Sequence, residues 1–171
     1  MSSIRRSIDA EAADFEAELR PVLPVALRLA AGMRLDRSDA EDAVQEAALR
    51  AWRKRDTRLP GTTLRPWFLA IVANQCRETR RARWASVLRF ADPPLRHDSG
   101  QPDAADTADV VNGLRRLPTA VRLAVVLRFY LDLPFDEVAA VSGCSVEAAK
   151  SRVRRGIAAL GAALRVPENV T

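Results

Sequence analysis

Between Ala91 and Ala108 the chain loses its hydrophobic pattern: Pro93, Pro94, Gly100 and Pro102 stand among four aspartates with scarcely any apolar periodicity. Such a segment reads as an extended linker. The 171 residues can support one modest core or two small ones joined by a linker, and this segment divides them into two parts. Both parts read as helical. Only 5% of residues are aromatic, Ala, Leu and Arg recur throughout, and the β-branched and aromatic alternation that strands prefer is lacking. The expected fold class is all-α: two small helical domains joined by a flexible linker.

In the first part, Phe15, Leu19, Leu23, Leu27 and Ala30 recur at helical spacing, with a break expected near Pro21 and Pro24. A second helix is predicted after Leu35, capped by Ser38 or Asp39. Glu41 and Asp42 lie in its first turn and Arg50, Arg53, Lys54 and Arg55 at its end, as the helix dipole favours. Pro60 and Gly61 then break the chain before a third helix near Pro66, with Trp67, Phe68, Ile71, Val72 and Cys76 as its buried stripe. Beyond the linker, Val110 to Leu117 is predicted as one helix. Pro118 opens another to about Tyr130, Pro134 opens a third that Gly143 ends, and Ser145 caps a last one to about Leu164.

Net charge is +5, but its distribution is uneven. Arg65 to Arg89 carries 6 basic residues against 1 acidic, and Ser145 to Thr171 carries 5 against 2, whereas Phe90 to Asn112 reverses this with 1 against 5. Two separate basic segments point to two contacts with a polyanion. No apolar stretch approaches membrane-spanning length, so no membrane insertion and a cytoplasmic location are expected. Cys76 and Cys144 fall at apolar helical positions without a Cys or His partner at metal-ligand spacing, and His97, the single histidine, sits in the linker. Core packing is the reading for both cysteines. No glycine-rich phosphate loop, metal cluster or nucleophile constellation occurs, so no enzyme activity, catalytic residue, metal or cofactor is expected.

Phe135 to Leu160 gives the strongest local signal. Phe135, Val138 and Ala139 face inward from a short helix, the turn Ser142-Gly143-Cys144 follows, and Val146, Ala149, Val153, Ile157 and Leu160 form the inner stripe of a longer helix. That is a helix-turn-helix pattern. Its second helix displays Lys150, Ser151, Arg154 and Arg155 on one outward face, a set suited to base edges and phosphates in the major groove. The other basic segment places Asn74, Arg77 and Arg81 on one face, with Arg80, Arg83 and Trp84 adjacent. Amide, guanidinium and indole groups can clamp or stack unpaired bases, although a solvated helix end with Trp84 on the core would have the same sequence.

Both patterns occur in an order that resembles the extracytoplasmic-function sigma factors, of the sigma-70 family, along nearly the whole chain. Asp39 to Arg53 looks like that family's stretch docking on the clamp of the polymerase's largest subunit, and Arg65 to Asn74 like its promoter-melting helix. Arg115-Arg-Leu-Pro, Val126-Leu-Arg-Phe-Tyr and Lys150-Ser-Arg-Val-Arg-Arg are similar to its second domain. The resemblance implies a region 2-like domain at 9–89, an acidic linker at 90–109 and a region 4-like domain at 110–165. It implies a sigma factor that binds core RNA polymerase, through the clamp and the flap of the second-largest subunit, and directs promoter-specific initiation. By the same resemblance Lys150, Ser151, Arg154 and Arg155 would read the minus-thirty-five element. Asn74 would line a pocket for a base flipped from the minus-ten element, with Arg77, Arg80 and Arg81 on the adjacent backbone. Asp42, Gln45 and Glu46 would meet basic groups of the polymerase. Promoter DNA and an anti-sigma factor complete the implied partners.

The chain departs from that pattern in places. Glu147-Ala148-Ala149 stands where Gly-Thr-Val is frequent, Pro134 where a serine cap is common, and Gly156 where alanine is usual. By propensity, Gly156 weakens the recognition helix by roughly 1 kcal/mol. Only a short tail, Val166 to Thr171, follows the last helix, so regulation by an appended domain is not expected. Two other classes remain open at this level. A stand-alone helix-turn-helix regulator would bind duplex tightly by itself, and a helical interaction module would lack salt-sensitive nucleic-acid binding.

Overall fold

A computed structural model describes residues 2–33, 36–89 and 105–164, and every regular element among them is helical. Most of the expected linker, His97 and the C-terminal tail lie outside the described residues. The first part comprises α1 (Ser2–Leu19), α2 (Leu23–Gly32), α3 (Arg37–Arg53) and α4 (Leu64–Arg89). The second comprises α5 (Ala105–Arg116), α6 (Thr119–Val125), α7 (Phe135–Ser142) and α8 (Val146–Leu164). A π-helical turn, Val126–Tyr130, continues α6.

Local chemistry sets the boundaries. The break between α1 and α2 falls at Arg20 to Val22, beside Pro21 and Pro24. α3 begins earlier than expected: Asp36, rather than Ser38 or Asp39, is the N-cap, its carboxylate accepting from the Asp39 amide at 2.8 Å. Asp36 qualifies because its backbone is extended (ψ 171°) while Ser38 is already helical. Asp36→Ala is therefore expected to lower stability by about 1 kcal/mol, measured by urea denaturation, with Ser38→Ala near neutral.

The α3 face that meets α4 consists of Ala40, Ala43, Val44, Ala47 and Ala51, side chains short enough for close helix approach. On α4 the fully buried residues are Phe68, Leu69, Val72, Ala73 and Cys76. Trp67 and Ile71, expected in the stripe, are only partly buried, and Leu69 takes the inner position. Cys76 is enclosed, and burial pushes its thiol up to about 12, so the packing role holds.

In the second part, Gly143 closes α7 with a left-handed backbone (φ 62°), which glycine adopts without strain. Ser145 Oγ accepts from the Ala148 amide at 3.2 Å, capping α8. Val138, Ala139, Val141, Ala149 and Val153 are buried as the helix-turn-helix requires. Val146 and Ile157 are not: they are 38% and 49% exposed. Gly156 lets α8 press on Val121 and Val125 of α6 and so continues the inner stripe from Val153. Ile157, one residue further, is turned outward.

Arg122 is 2% exposed, donating from Nε to Leu114 O at 2.6 Å and from Nη2 to Arg115 O at 2.8 Å and Leu117 O at 3.0 Å. It ties the end of α5 to α6. The two parts also pack on each other, α7 along α4 and the π turn against α2, so that one contiguous core runs from Leu29 and Phe68 to Leu127 and Val138.

Candidate nucleic-acid and polymerase interfaces

Asn74, Arg77 and Arg81 follow one another at spacings of three and four along α4 and thus share a face. That face borders a cavity of about 210 Å³, walled on the other side by Arg50 and Lys54 from the end of α3, with Ile71 and Glu78 between them. Arg50 bridges the two helices: its Nε donates to Glu46 at 3.1 Å and its Nη1 to Glu78 at 2.8 Å. The hydrogen bonds it donates to Glu46 and then to Glu78 hold the guanidinium more firmly protonated than usual. The cavity is therefore lined by four cations and one carboxylate, with an amide and an aliphatic side chain, a lining suited to a phosphate and an unpaired base.

Three of the four expected residues meet there. Arg80 does not line the cavity; it points to Thr119 of the second part, Nη1 to Oγ1 3.5 Å. Side chains of Arg83 and Trp84 lie outside the described residues. Arg50 and Lys54 escaped sequence reasoning because they belong to a different helix, where a basic C-terminus reads as dipole compensation.

Asp42, Gln45 and Glu46 lie on the α3 face opposite its alanine stripe, Asp42 and Gln45 exposed and Glu46 half-buried by its pair with Arg50. Leu49 shares that face at 52% exposure, a position the polar reading passed over. An apolar side chain ringed by polar ones is a composition suited to protein contact. On α8, Arg154 and Arg155 are exposed while Lys150 and Ser151 are half-buried. Lys150 Nζ pairs with Glu147 Oε1 at 2.8 Å. That hydrogen bond and charge, with a smaller contribution from Arg154, hold the Glu147 carboxyl below its ordinary range. Glu147 thus adds an acceptor to an otherwise basic face, which its three-residue spacing from Lys150 could have revealed.

Among the described residues there is no group of three His, Cys, Asp or Glu that could hold a metal, and no helix long and apolar enough to cross a membrane. The family model described as Sigma-70 region 2 matches residues 15–86, and the one described as Sigma-70, region 4 matches residues 108–160. The ECF RNA polymerase sigma factor EcfG of Rhodopseudomonas palustris strain TIE-1 is 34% identical over 74% of this chain and 72% of its own length. The chain belongs to the extracytoplasmic-function sigma factors. As such it directs core RNA polymerase to promoters, and a stand-alone regulator, needing only the second part, leaves the region 2 match unexplained. The RNA polymerase sigma factor NccH of Alcaligenes xylosoxydans xylosoxydans is 30% identical over 75% of this sigma factor and 74% of its own chain. Among solved structures, the sigma factor RpoE from Bartonella quintana, in complex with the anti-sigma factor NepR, superposes with a TM-score of 0.71 at 30% identity. The superposition covers 91% of this chain and 99% of that one.

Proposed function

We propose that the α3–α4 cavity receives a base and its phosphate from the melted minus-ten element, with Asn74 on the base and Arg77 and Arg81 on the backbone. Arg80 joins them once it leaves Thr119. Lys150, Ser151, Arg154 and Arg155 read the minus-thirty-five element as duplex, and Asp42, Gln45 and Glu46, around Leu49, dock on the polymerase clamp. The flap of the second-largest subunit receives the second part. The protein acts in the cytoplasm by binding alone, with no chemistry of its own, and an anti-sigma factor restrains it. The observation that carries this reading is the convergence of Asn74, Arg77 and Arg81 on one basic cavity inside the segment matched as region 2.

The test is transcription in vitro with core RNA polymerase on fragmented DNA from the source genome, mapping dependent starts, followed by permanganate probing of the melted strand. Asn74→Ala is expected to cut open-complex formation about fivefold or more, since a base edge left without its amide partner costs about 1–3 kcal/mol. Arg154→Ala is expected to relax preference at one upstream base pair by a similar energy. Unchanged melting by Asn74→Ala would remove the cavity from the mechanism.

A further inference from the structure

A carboxylate stands on the face of α8 that the promoter reading turns toward DNA. Lys150, Ser151 and Arg154 follow Glu147 at spacings of three, four and seven, so the four residues form one line along the helix. Glu147 lies in the first turn of α8, and its side chain is 77% exposed. Recognition helices meet base edges with their N-terminal residues. A carboxylate in that place opposes binding at every sequence, because phosphates flank the groove on both sides. The fold does not require it. Ser145 already caps the helix, and an ion pair as exposed as that of Glu147 with Lys150 adds little to stability.

The repulsion is offset only where the groove offers a donor. In the major groove the donors are the N4 amino group of cytosine and the N6 amino group of adenine. Adenine N6 lies between two acceptors, its own N7 and thymine O4, and both repel a carboxylate. Cytosine N4 has an acceptor on one side only, the guanine O6 to which it is paired, with guanine N7 beyond it. A C·G pair therefore shows one donor followed by two acceptors, and the ion pair on α8 shows an acceptor beside a three-donor ammonium. The spacings agree. Glu147 Oε1 and Lys150 Nζ are 2.8 Å apart, and N4 and O6, hydrogen-bonded to each other, are about 2.9 Å apart. The hydrogen bond from Lys150 holds the Glu147 carboxyl below its ordinary range, so it enters the groove as a pure acceptor.

We propose that Glu147 and Lys150 read one C·G pair of the upstream element as a unit, Glu147 accepting from cytosine N4 and Lys150 donating to guanine O6 and N7. Glu147 is then a specificity-determining residue, and it works largely by exclusion. A reversed pair sets the carboxylate against guanine O6 and the ammonium against cytosine N4, so it is rejected most strongly. An A·T pair satisfies the carboxylate but flanks it with acceptors. The inference rests on the minus-thirty-five reading of α8 and names the base pair that this end of the helix takes.

The test is selection of initiating promoters by the full chain with core RNA polymerase, from a pool with randomised upstream DNA, for wild type, Glu147→Ala and Glu147→Gln. The wild type is expected to fix one C·G pair in the upstream motif. Glu147→Ala is expected to lower the preference for C·G at that pair about tenfold, with the other upstream positions unchanged. Glu147→Gln is expected to admit A·T there, because an amide offers adenine N6 an acceptor and N7 a donor. Holoenzyme carrying Glu147→Ala is also expected to bind DNA lacking the motif several-fold more tightly, since a charge opposed to phosphate has been removed. Support of the helix alone would move none of these readouts. An upstream motif with the same preferences in all three proteins would overturn the assignment, as would a uniform loss of initiation at every sequence. A wild type with no upstream preference would sink the minus-thirty-five reading, and the assignment with it.

Discussion

Replacing Arg122 with methionine is expected to cost the protein about 3–5 kcal/mol, because three carbonyls at the end of α5 lose a charged donor inside the fold. Methionine fills comparable volume, so the loss reports hydrogen bonding rather than a void. At about 2–4 °C per kcal/mol for a chain of this size, the midpoint of thermal unfolding should fall by about 10 °C or more. Hydrogen exchange should quicken first along α5, which the arginine ties to α6. Arg122→Lys is expected to recover less than half of the loss, since an ammonium cannot span three acceptors arranged around a planar fork. A methionine variant within 1 °C of wild type would show that the carbonyls find other partners at little cost.

The second large effect runs against helix propensity. Gly156→Ala should gain about 1 kcal/mol in an isolated helix. In this fold the new Cβ would lie 2.3 Å from Val125 Cγ2 and 3.2 Å from Val121 Cγ1, so α8 must retreat from α6. Overpacking of this kind costs about 1–3 kcal/mol, giving a net loss for alanine of about 1 kcal/mol and for valine of about 3 kcal/mol or more. Urea denaturation of the pair decides it, and a stabilised alanine variant would mean that α8 shifts freely. The same displacement should move Arg154 and Arg155 relative to α7, so promoter discrimination is expected to change together with stability.

These two residues mark where the sequence stops being legible. Helix order, the break at Pro21, the left-handed cap at Gly143 and the cap at Ser145 follow from local chemistry and are readable along the chain. Arg122 reads as an ordinary basic residue between Val121 and Leu123, because nothing in one dimension shows that the carbonyls it serves lie five to eight residues back. Gly156 reads as a helix defect because its reason is two valines some thirty residues earlier. The same holds for the candidate sites. Asn74, Arg77 and Arg81 share one helix face and were found by spacing. Arg50 and Lys54 reach the same cavity from another helix, and Arg80 leaves it for Thr119, and both facts are tertiary. Leu49 was passed over because an exposed leucine looks no different from a buried one until the alanine stripe on the opposite side is seen to face α4.

The π turn at Val126–Tyr130 carries a consequence for length. Its ladder runs from the Leu131 amide back five residues to Val126 O at 3.0 Å, instead of four. A π turn accommodates one residue more than an α turn, the equivalent of a single insertion. Deleting one residue between Val126 and Tyr130 would restore α geometry and leave the segments on either side in phase, because the bulge already absorbs the extra residue. The recognition helix would then keep both its sequence and its place. Chain length at this turn can therefore change by one residue with the recognition helix left where it is and every base-reading side chain retained.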